Sequence, residues 1–478
     1  MGEVKSFGLV DRLRAAWRDI KVSAKERREG DLHPDLPEDD AGRLREQITD
    51  CLEARGGEVS ARSRSADLGR AYLGLTTEGR GRFLAVLADE FGTDDAEVEA
   101  AVAALGEADG ARERLAAEAS LRDALIPRRR KLFTQFTGLP NGVKFLVDMR
   151  AEVLALAREN PGLKPVADDL EYLFSNWFDV GFLDLTRITW QSPAALLERL
   201  IAYEAVHAIH SWDALKKRLA DDRRCFAFFH PRMPDEPLIF VEVALLEGMA
   251  GEVGPLIDET APAGDPREAD TAIFYSISNA QAGLAGISFG NFLIKRVVDE
   301  LAREFRGLKT FATLSPIPGF RAWLDAKIEA GDSDLIEVAD ARRLIELTVT
   351  ENPIAVLRAA LEANWSTNDL FKAALKEPLT GLCARYLALE RGPSGRALDP
   401  VARFHLRNGA QIERINWMGD TSEKGLTQSA GLMVNYNYRL AQIEENHEDY
   451  VGEGKVAIGP QVKSLLGAQA KLRKASGE

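Results

Sequence analysis

Cysteine is nearly missing from this chain: three residues, Cys51, Cys225 and Cys383, among 478. An odd number at such wide spacing builds neither a disulfide framework nor a Cys-x-x-Cys metal site, and reduced thiols fit a cytoplasmic protein. Basic residues are outnumbered, 61 Lys and Arg against 75 Asp and Glu, for a net charge of −14. A surface of that sign repels phosphate backbones, so nucleic acid is excluded as a general partner and a polyanionic ligand needs a dedicated pocket. Met1–Leu13 lacks the apolar core of a secretory signal, and its Gly2 and Ser6 match a myristoylation pattern too loose to use. The one long uncharged run, Thr271–Ile294, contains Ser276, Ser278, Asn279, Gln281, Ser288 and Asn291. So many polar groups are costly in lipid, so the run reads as a buried strand entering a binding loop, and no membrane association is expected.

What is present is ordinary globular composition, 45% hydrophobic and 28% charged, at a length that suits two or three domains. Residues 39–125 carry charged and apolar positions at helical spacing, broken at Gly56-Gly57, Gly92–Asp95 and Ala108–Gly110. The basic run Arg128–Lys131 reads as a solvated face. From Cys225 the texture changes to short β-rich runs: Cys225–Phe229 and Leu238–Leu245, joined by a proline-rich connection that predicts a wide hairpin, then Ala272–Ile277. Phe289, Leu293, Val297, Leu301 and Phe305 mark one apolar helix face, and Leu308–Leu314 is strand-like again. Strand, loop, helix, strand predicts two parallel neighbours. The glycine-containing loop and Ser315 then both leave the carboxyl ends of their strands, where open α/β sheets bind ligands. Residues 321–400 return to helix, 410–418 and 432–438 are strand-like, and the tail after Glu444 is polar and without marked features.

Three constellations compete for the chemistry. Gly286-Ile-Ser288-Phe-Gly290 matches the nucleophile elbow of α/β-hydrolases, with His405 downstream in the right order. An elbow, however, needs its strand to end at the first glycine, and 278–286 reads as loop. The same loop serves as well as an anion cradle, in which backbone N–H groups at a helix N-terminus grip a diphosphate without net positive charge. Glu204-x-x-His207 and Glu444-x-x-His447 follow a di-iron ligand pattern, but the second sits in a polar run without bundle helices around it.

Seven blocks together resemble malonyl-CoA decarboxylases: Pro237–Leu245, Ala272–Ser278, Phe292–Val298, Leu314–Phe320, Phe404–Ala410, Arg414–Met418 and Gly431–Tyr436. The resemblance runs from about Leu139 to Tyr438; the first 125 residues share only helical character. It implies an α+β chain, with an N-terminal all-helical bundle over 1–178 used in oligomerisation. A GNAT-like α/β catalytic domain with a mixed central sheet would follow over 179–478, carrying a helical insertion at about 321–400. It further implies malonyl-CoA as substrate, acetyl-CoA and CO2 as products, no metal or organic cofactor, and a homo-oligomer, in the family a tetramer. By the resemblance Ala285, Gly286, Ile287, Ser288, Phe289, Gly290 and Asn291 bind the CoA diphosphate. Ser315 corresponds to the catalytic serine, His405 to the catalytic histidine and Tyr438 to a supporting tyrosine. Ser288 stands where animal members carry glutamate, and the C-terminus lacks the peroxisomal Ser-Lys-Leu of those members.

The chemistry asks for the same groups. Decarboxylating a malonyl thioester leaves an enolate whose oxygen needs donors, expected from backbone N–H groups near the loop. A hydroxyl such as Ser315 can hold the departing carboxylate perpendicular to the thioester. A histidine titrating near neutrality, His405, would then protonate carbon. The thioester is its own electron sink. An acyl-CoA-dependent acyltransferase on the same fold, a serine hydrolase using Ser288 and a scaffold that only senses CoA are the alternatives.

Overall fold

The computed structural model describes residues 17, 32–53, 58–178, 180–287, 293–332, 335–336, 338–347, 352–362 and 365–475. The chain forms two compact units. One holds the residues up to Leu183 together with 230–237 and the loop from Gln281; the other holds 184–229, 238–280 and the chain from 290 onward.

The first unit is helical. Its helices Glu38–Leu52, Glu58–Gly74, Thr77–Glu90, Asp95–Glu107 and Ala111–Ala124 break at the predicted glycine and aspartate joints, and at Leu75-Thr76. Local chemistry sets the ends: Thr76 caps Thr77–Glu90 by accepting from Gly79 N, and Asp94 accepts from Ala96 N and Glu97 N. Such caps satisfy N–H groups that have no partner within the helix. The core is aromatic, with Tyr72, Phe83, Phe136 and Phe145 in edge-on contact at 5.0–5.7 Å between centroids. The basic run is a solvated face only in part, with Arg128 and Lys131 exposed. Arg129 is buried, its Nε 2.7 Å from Asp169 Oδ2 and its Nη1 on the carbonyls of Leu87 and Ala88, while Arg130 takes the other oxygen of Asp169. One carboxylate so placed bridges two guanidinium groups and locks the helix Arg128–Phe136 to Lys164–Trp177.

The second unit is built on a mixed sheet of β1 (Asp184–Ile188), β2 (Arg223–Phe229), β3 (Ile239–Leu246), β4 (Thr271–Asn279), β5 (Thr310–Thr313), β6 (Ser315–Pro316), β7 (Gln411–Asn416) and β8 (Met433–Asn437). β1 to β4 are antiparallel, and β2 and β3 form the predicted wide hairpin. β4 and β5 are parallel neighbours, Thr271↔Thr310 to Phe274↔Thr313, with the helix Leu293–Glu304 between them in sequence. Of the predicted apolar face, Leu293, Val297 and Leu301 are buried and Phe305 half-buried; Phe289 lies outside the described residues. After Leu314 donates to Phe274 O, the chain bearing Ser315 turns to pair with β8 at Val434. Among the described residues, the end of β4 from Tyr275 to Asn279 has no strand partner on its β5 side. Two parallel strands that part at their carboxyl ends open the sheet there, the place where α/β sheets take ligands. A helical N-terminal region followed by a mixed-sheet domain makes the chain α+β.

Helices Phe320–Glu329, Val338–Ile345, Pro353–Glu362 and Asp369–Ala388 occupy most of the stretch that reads as helix in the sequence. The tail is more structured than its polarity suggests. Helices Ile443–Glu453 and Pro460–Ala475 follow, with Tyr450 and Val462 buried, and Gln461 Oε1 accepts from Ile415 N of β7. The buried apolar residues Ile443, Tyr450 and Val462 are too widely spaced to form a helical stripe, yet they seat the two helices.

Candidate active site

Ser315, His405 and Tyr438 come together. They belong to β6, to the helix Pro400–Arg407 and to the residue after β8, and they form one hydrogen-bonded chain. His405 Nε2 lies 3.2 Å from Ser315 Oγ, and His405 Nδ1 lies 2.8 Å from the Tyr438 hydroxyl. Ser315 Oγ donates to Thr313 Oγ1 at 2.9 Å, and Thr313 Oγ1 also accepts from Tyr436 N at 3.1 Å. A hydroxyl has a single proton. With that proton spent on Thr313, Ser315 can only accept from His405, so Nε2 carries the hydrogen and Nδ1 accepts from Tyr438. All three are buried, at 6%, 3% and 2% exposure.

Each element is pinned where it carries one of these groups. Asp399 caps the helix of His405, accepting from Val401 N and Ala402 N at 2.9 Å each, and also takes the Tyr386 hydroxyl at 3.3 Å. The backbone of Gly319, four residues after Ser315, also faces this carboxylate, so Asp399 ties the segments of Ser315 and His405 together. Burial pushes its pKa up against these donors. Gly319 has no room for a side chain, because a Cβ there would lie 2.3 Å from the Tyr386 hydroxyl. On the strand side the buried Asn435 donates to Thr313 O at 2.7 Å and Ala250 O at 3.0 Å, and accepts from Asn416 Nδ2 and Arg414 Nε. Its amide is fully used, which is the condition for a buried polar group to order its surroundings rather than weaken them.

The electrostatics overturn one expectation. His405 does not titrate near neutrality: burial alone pushes it down to about 3, and no acidic group offsets that. Its ring stacks on Tyr436, with centroids 4.5 Å apart and planes at 23°, and meets Phe404 edge-on at 5.1 Å. Removing water from the ring disfavours the cation, so the imidazole is neutral at physiological pH. Burial also raises the Tyr438 hydroxyl well above its ordinary value, keeping it a donor.

The loop is held within the helical unit. Gln281 Nε2 donates to Pro237 O at 2.8 Å, and Leu284, Ala285 and Ile287 close short turns onto Gln281, Ala282 and Leu284. Arg150, 2% exposed, reaches Gly283 O at 2.7 Å and Ala285 O at 2.8 Å, and its other Nη meets Glu171 at 2.5 Å. A Cβ on Gly283 would lie 1.7 Å from Val147 O, and Gly286 has φ +83°. Of the expected diphosphate-binding residues, Ala285, Gly286 and Ile287 are seen in this turn; Ser288, Phe289, Gly290 and Asn291 lie outside the described residues. β4 ends at Asn279, seven residues before Gly286, which is not the strand-to-serine turn of a nucleophile elbow.

The two Glu-x-x-His pairs do other work. Glu204 accepts from Val206 N, His207 N, Ser276 and Ser278. Glu444 pairs with Lys295, and His447 Nδ1 bonds to Arg407 O. Sequence reasoning missed Thr313, Asn435, Asp399 and Arg150. Thr313 and Tyr436 were reachable by strand alternation, since they share faces with Ser315 and Tyr438. Arg150 lies 131 positions before Gln281 in sequence, and no local pattern announces it.

The comparisons agree with this architecture. The family model for the malonyl-CoA decarboxylase C-terminal domain matches residues 181–476, and that for the N-terminal domain matches 91–178, reaching further back than the Leu139 start of the resemblance. The chain is 39% identical to the mitochondrial malonyl-CoA decarboxylase of Anser anser anser over 422 residues, covering 85% of this chain and 84% of that one. It is 39% identical to the Rattus norvegicus protein of the same name over 424 residues, covering 85% of this chain and 86% of that one. Among solved structures, malonyl-CoA decarboxylase from Rhodopseudomonas palustris matches with TM-score 0.82 and 44% identity over 89% of this chain and 99% of that one. The Agrobacterium vitis protein of that name gives 0.79 and 41%, over 88% and 99%. With both of its domains matched and its central residues brought into one hydrogen-bonded chain, this protein belongs to the malonyl-CoA decarboxylase family.

Proposed function

We propose that the protein is a carboxy-lyase that converts malonyl-CoA to acetyl-CoA and CO2, with Ser315, His405 and Tyr438 as its working groups. The buried Tyr438–His405–Ser315 chain is the observation that carries this reading. Ser315, still accepting from Nε2–H, turns its one proton from Thr313 to the malonyl carboxylate and so holds it out of the thioester plane. The bond from Cα to the carboxylate breaks, CO2 leaves, and the electron pair passes into the thioester carbonyl to give an enolate. That oxygen carries the developing charge and needs hydrogen-bond donors.

Protonation fits a neutral ring. The carbon of a thioester enolate is a stronger base than imidazolate, so an imidazole N–H can supply its proton. As Nε2–H moves to carbon, the Tyr438 O–H can move to Nδ1, and solvent returns the one proton consumed per turnover. A neutral partner has a second merit: it does not form an ion pair with the substrate carboxylate, so the ground state is not stabilised where charge must disperse.

The loop from Ala285 to Asn291 is proposed to hold the CoA diphosphate through backbone N–H groups, which suits a chain of net charge −14. A homo-oligomer, a tetramer by the family resemblance, is proposed from the helical unit; Val102, Leu115, Leu125 and Ile126 expose apolar surface around Asp95–Glu107 and Ala111–Ala124. Light scattering after gel filtration tests it. Three buried free thiols support a cytoplasmic setting, and among the described residues no helix is long and apolar enough to cross a membrane.

Purified protein with malonyl-CoA and no acyl acceptor tests the activity. CO2 and acetyl-CoA in equal amounts are expected. Free CoA with malonate would point to the hydrolase, and no reaction without an acceptor to the acyltransferase.

A further inference from the structure

Arg150 lies far in sequence from every residue assigned to the reaction, yet it is buried in the helical unit with four acceptors around it. Its Nη1 is shared between Gly283 O and Ala285 O, its Nη2 meets Glu171, and its Nε faces Ala167 O at 3.3 Å. The carbonyls it grips belong to the loop assigned above to the CoA diphosphate.

Peptide planarity turns this grip into a direction. There is no cis peptide bond among the described residues, so the C=O of one residue and the N–H of the next point opposite ways. Fixing Ala285 O on Arg150 therefore aims Gly286 N–H away from the guanidinium. Leu284, Ala285 and Ile287 spend their amides on the loop's own turns, and Gly286 N–H has no acceptor among the described residues. The positive φ of Gly286 allows this reversal, and contact between Gly283 and the Val147 carbonyl leaves no slack on the other side. Arg150 also offsets a hazard. Glu171 Oε2 comes within 4.0 Å of where a Cβ on Gly286 would stand, and a bare carboxylate there would repel an anion.

We infer that Arg150 is a positioning residue for CoA recognition: by holding the Gly283 and Ala285 carbonyls and neutralising Glu171, it presents Gly286 N–H to the diphosphate of the substrate. This rests on the assignment of the loop to the CoA diphosphate, and it adds the residue that sets the loop's donor. Affinity for the nucleotide tail is thereby made to depend on the helical unit.

The test compares malonyl-CoA with malonyl-pantetheine, which keeps the reacting thioester and lacks the diphosphate. The readout is the ratio of the two kcat/KM values for wild type, Arg150→Met and Glu171→Gln. Loss of hydrogen bonds to a charged group predicts that Arg150→Met lowers this ratio about tenfold, through KM for malonyl-CoA rather than kcat. Glu171→Gln leaves the carbonyl grip in place on a half-exposed side chain and keeps the fold if Arg150→Met does not. It removes the charged anchor of Nη2, so a fall in the ratio of at least twofold, again in KM, is expected. If either folded variant lowers turnover of both thioesters equally, Arg150 is merely structural and the inference fails while the loop assignment stands. If wild type itself handles both thioesters equally well, the loop does not read the diphosphate, and assignment and inference fall together.

Discussion

Replacing Tyr438 by Phe removes one oxygen and tests whether the tyrosine fixes the histidine tautomer. The hydroxyl is 2.8 Å from His405 Nδ1 in a site with 3% of the histidine exposed. A phenyl ring keeps the shape and the contact with Phe274, at 6.4 Å between centroids, so no large cavity opens. What is lost is the donor that makes Nδ1 the acceptor and Nε2 the hydrogen carrier. A buried acceptor left unpaired costs about 1–3 kcal/mol. Charged against the productive tautomer, that cost lowers its population and hence kcat by roughly fivefold to 150-fold, at about 1.36 kcal/mol per decade. KM for malonyl-CoA should change far less, because the loop is untouched. The assay is CO2 release at saturating malonyl-CoA, paired with 15N chemical shifts of His405, which report Nε2–H in wild type and a mixture in the variant. A variant that keeps wild-type kcat, or a wild-type spectrum showing Nδ1–H, refutes the reasoning.

Two further outcomes follow from the same geometry. Because His405 is held at about 3 in the fold against an ordinary value near 6.5, the unfolded chain binds more protons between those pH values. Its contribution is fully present above about pH 6.5 and is lost as pH falls toward 3. Relative to His405→Gln, wild type should therefore lose about 2 kcal/mol of stability between pH 8 and pH 5 in urea titrations, and a constant difference would contradict the assigned neutrality. Gly283→Ala should raise KM for malonyl-CoA and cost about 1–3 kcal/mol of stability, because its Cβ would lie 1.7 Å from a helix carbonyl that cannot yield; kinetics and melting within error of wild type would count against the seating of the loop.

The sheet was readable where pattern and physics coincide. Cys225–Phe229 and Leu238–Leu245 are rich in aromatic and β-branched residues with a proline-rich break between them, and the strand–helix–strand order around Leu293–Glu304 favours the parallel pair β4 and β5. Ser315 and His405 were legible through the blocks that hold them, Leu314–Phe320 and Phe404–Ala410. Their electrostatics were not. Nothing in Phe404-His405-Leu406 says that Tyr436 will stack on the imidazole and strip its water, so titration near neutrality was the natural expectation and the wrong one. Arg129 failed for a similar reason: its partner Asp169 lies 40 residues away, and a run of four basic residues does not reveal which one turns inward. Arg150, Asp399 and Asn435 act by long-range contact, a property that only the folded chain displays.

The most direct test is single-turnover formation of acetyl-CoA from malonyl-CoA by His405→Ala, measured beside the dissociation constant for CoA. Acetyl-CoA formation should fall by roughly a hundredfold or more, the span ordinarily supplied by a positioned proton donor, while CoA binds as it does to wild type. Acetyl-CoA formed by His405→Ala at the wild-type rate would contradict the role given to His405.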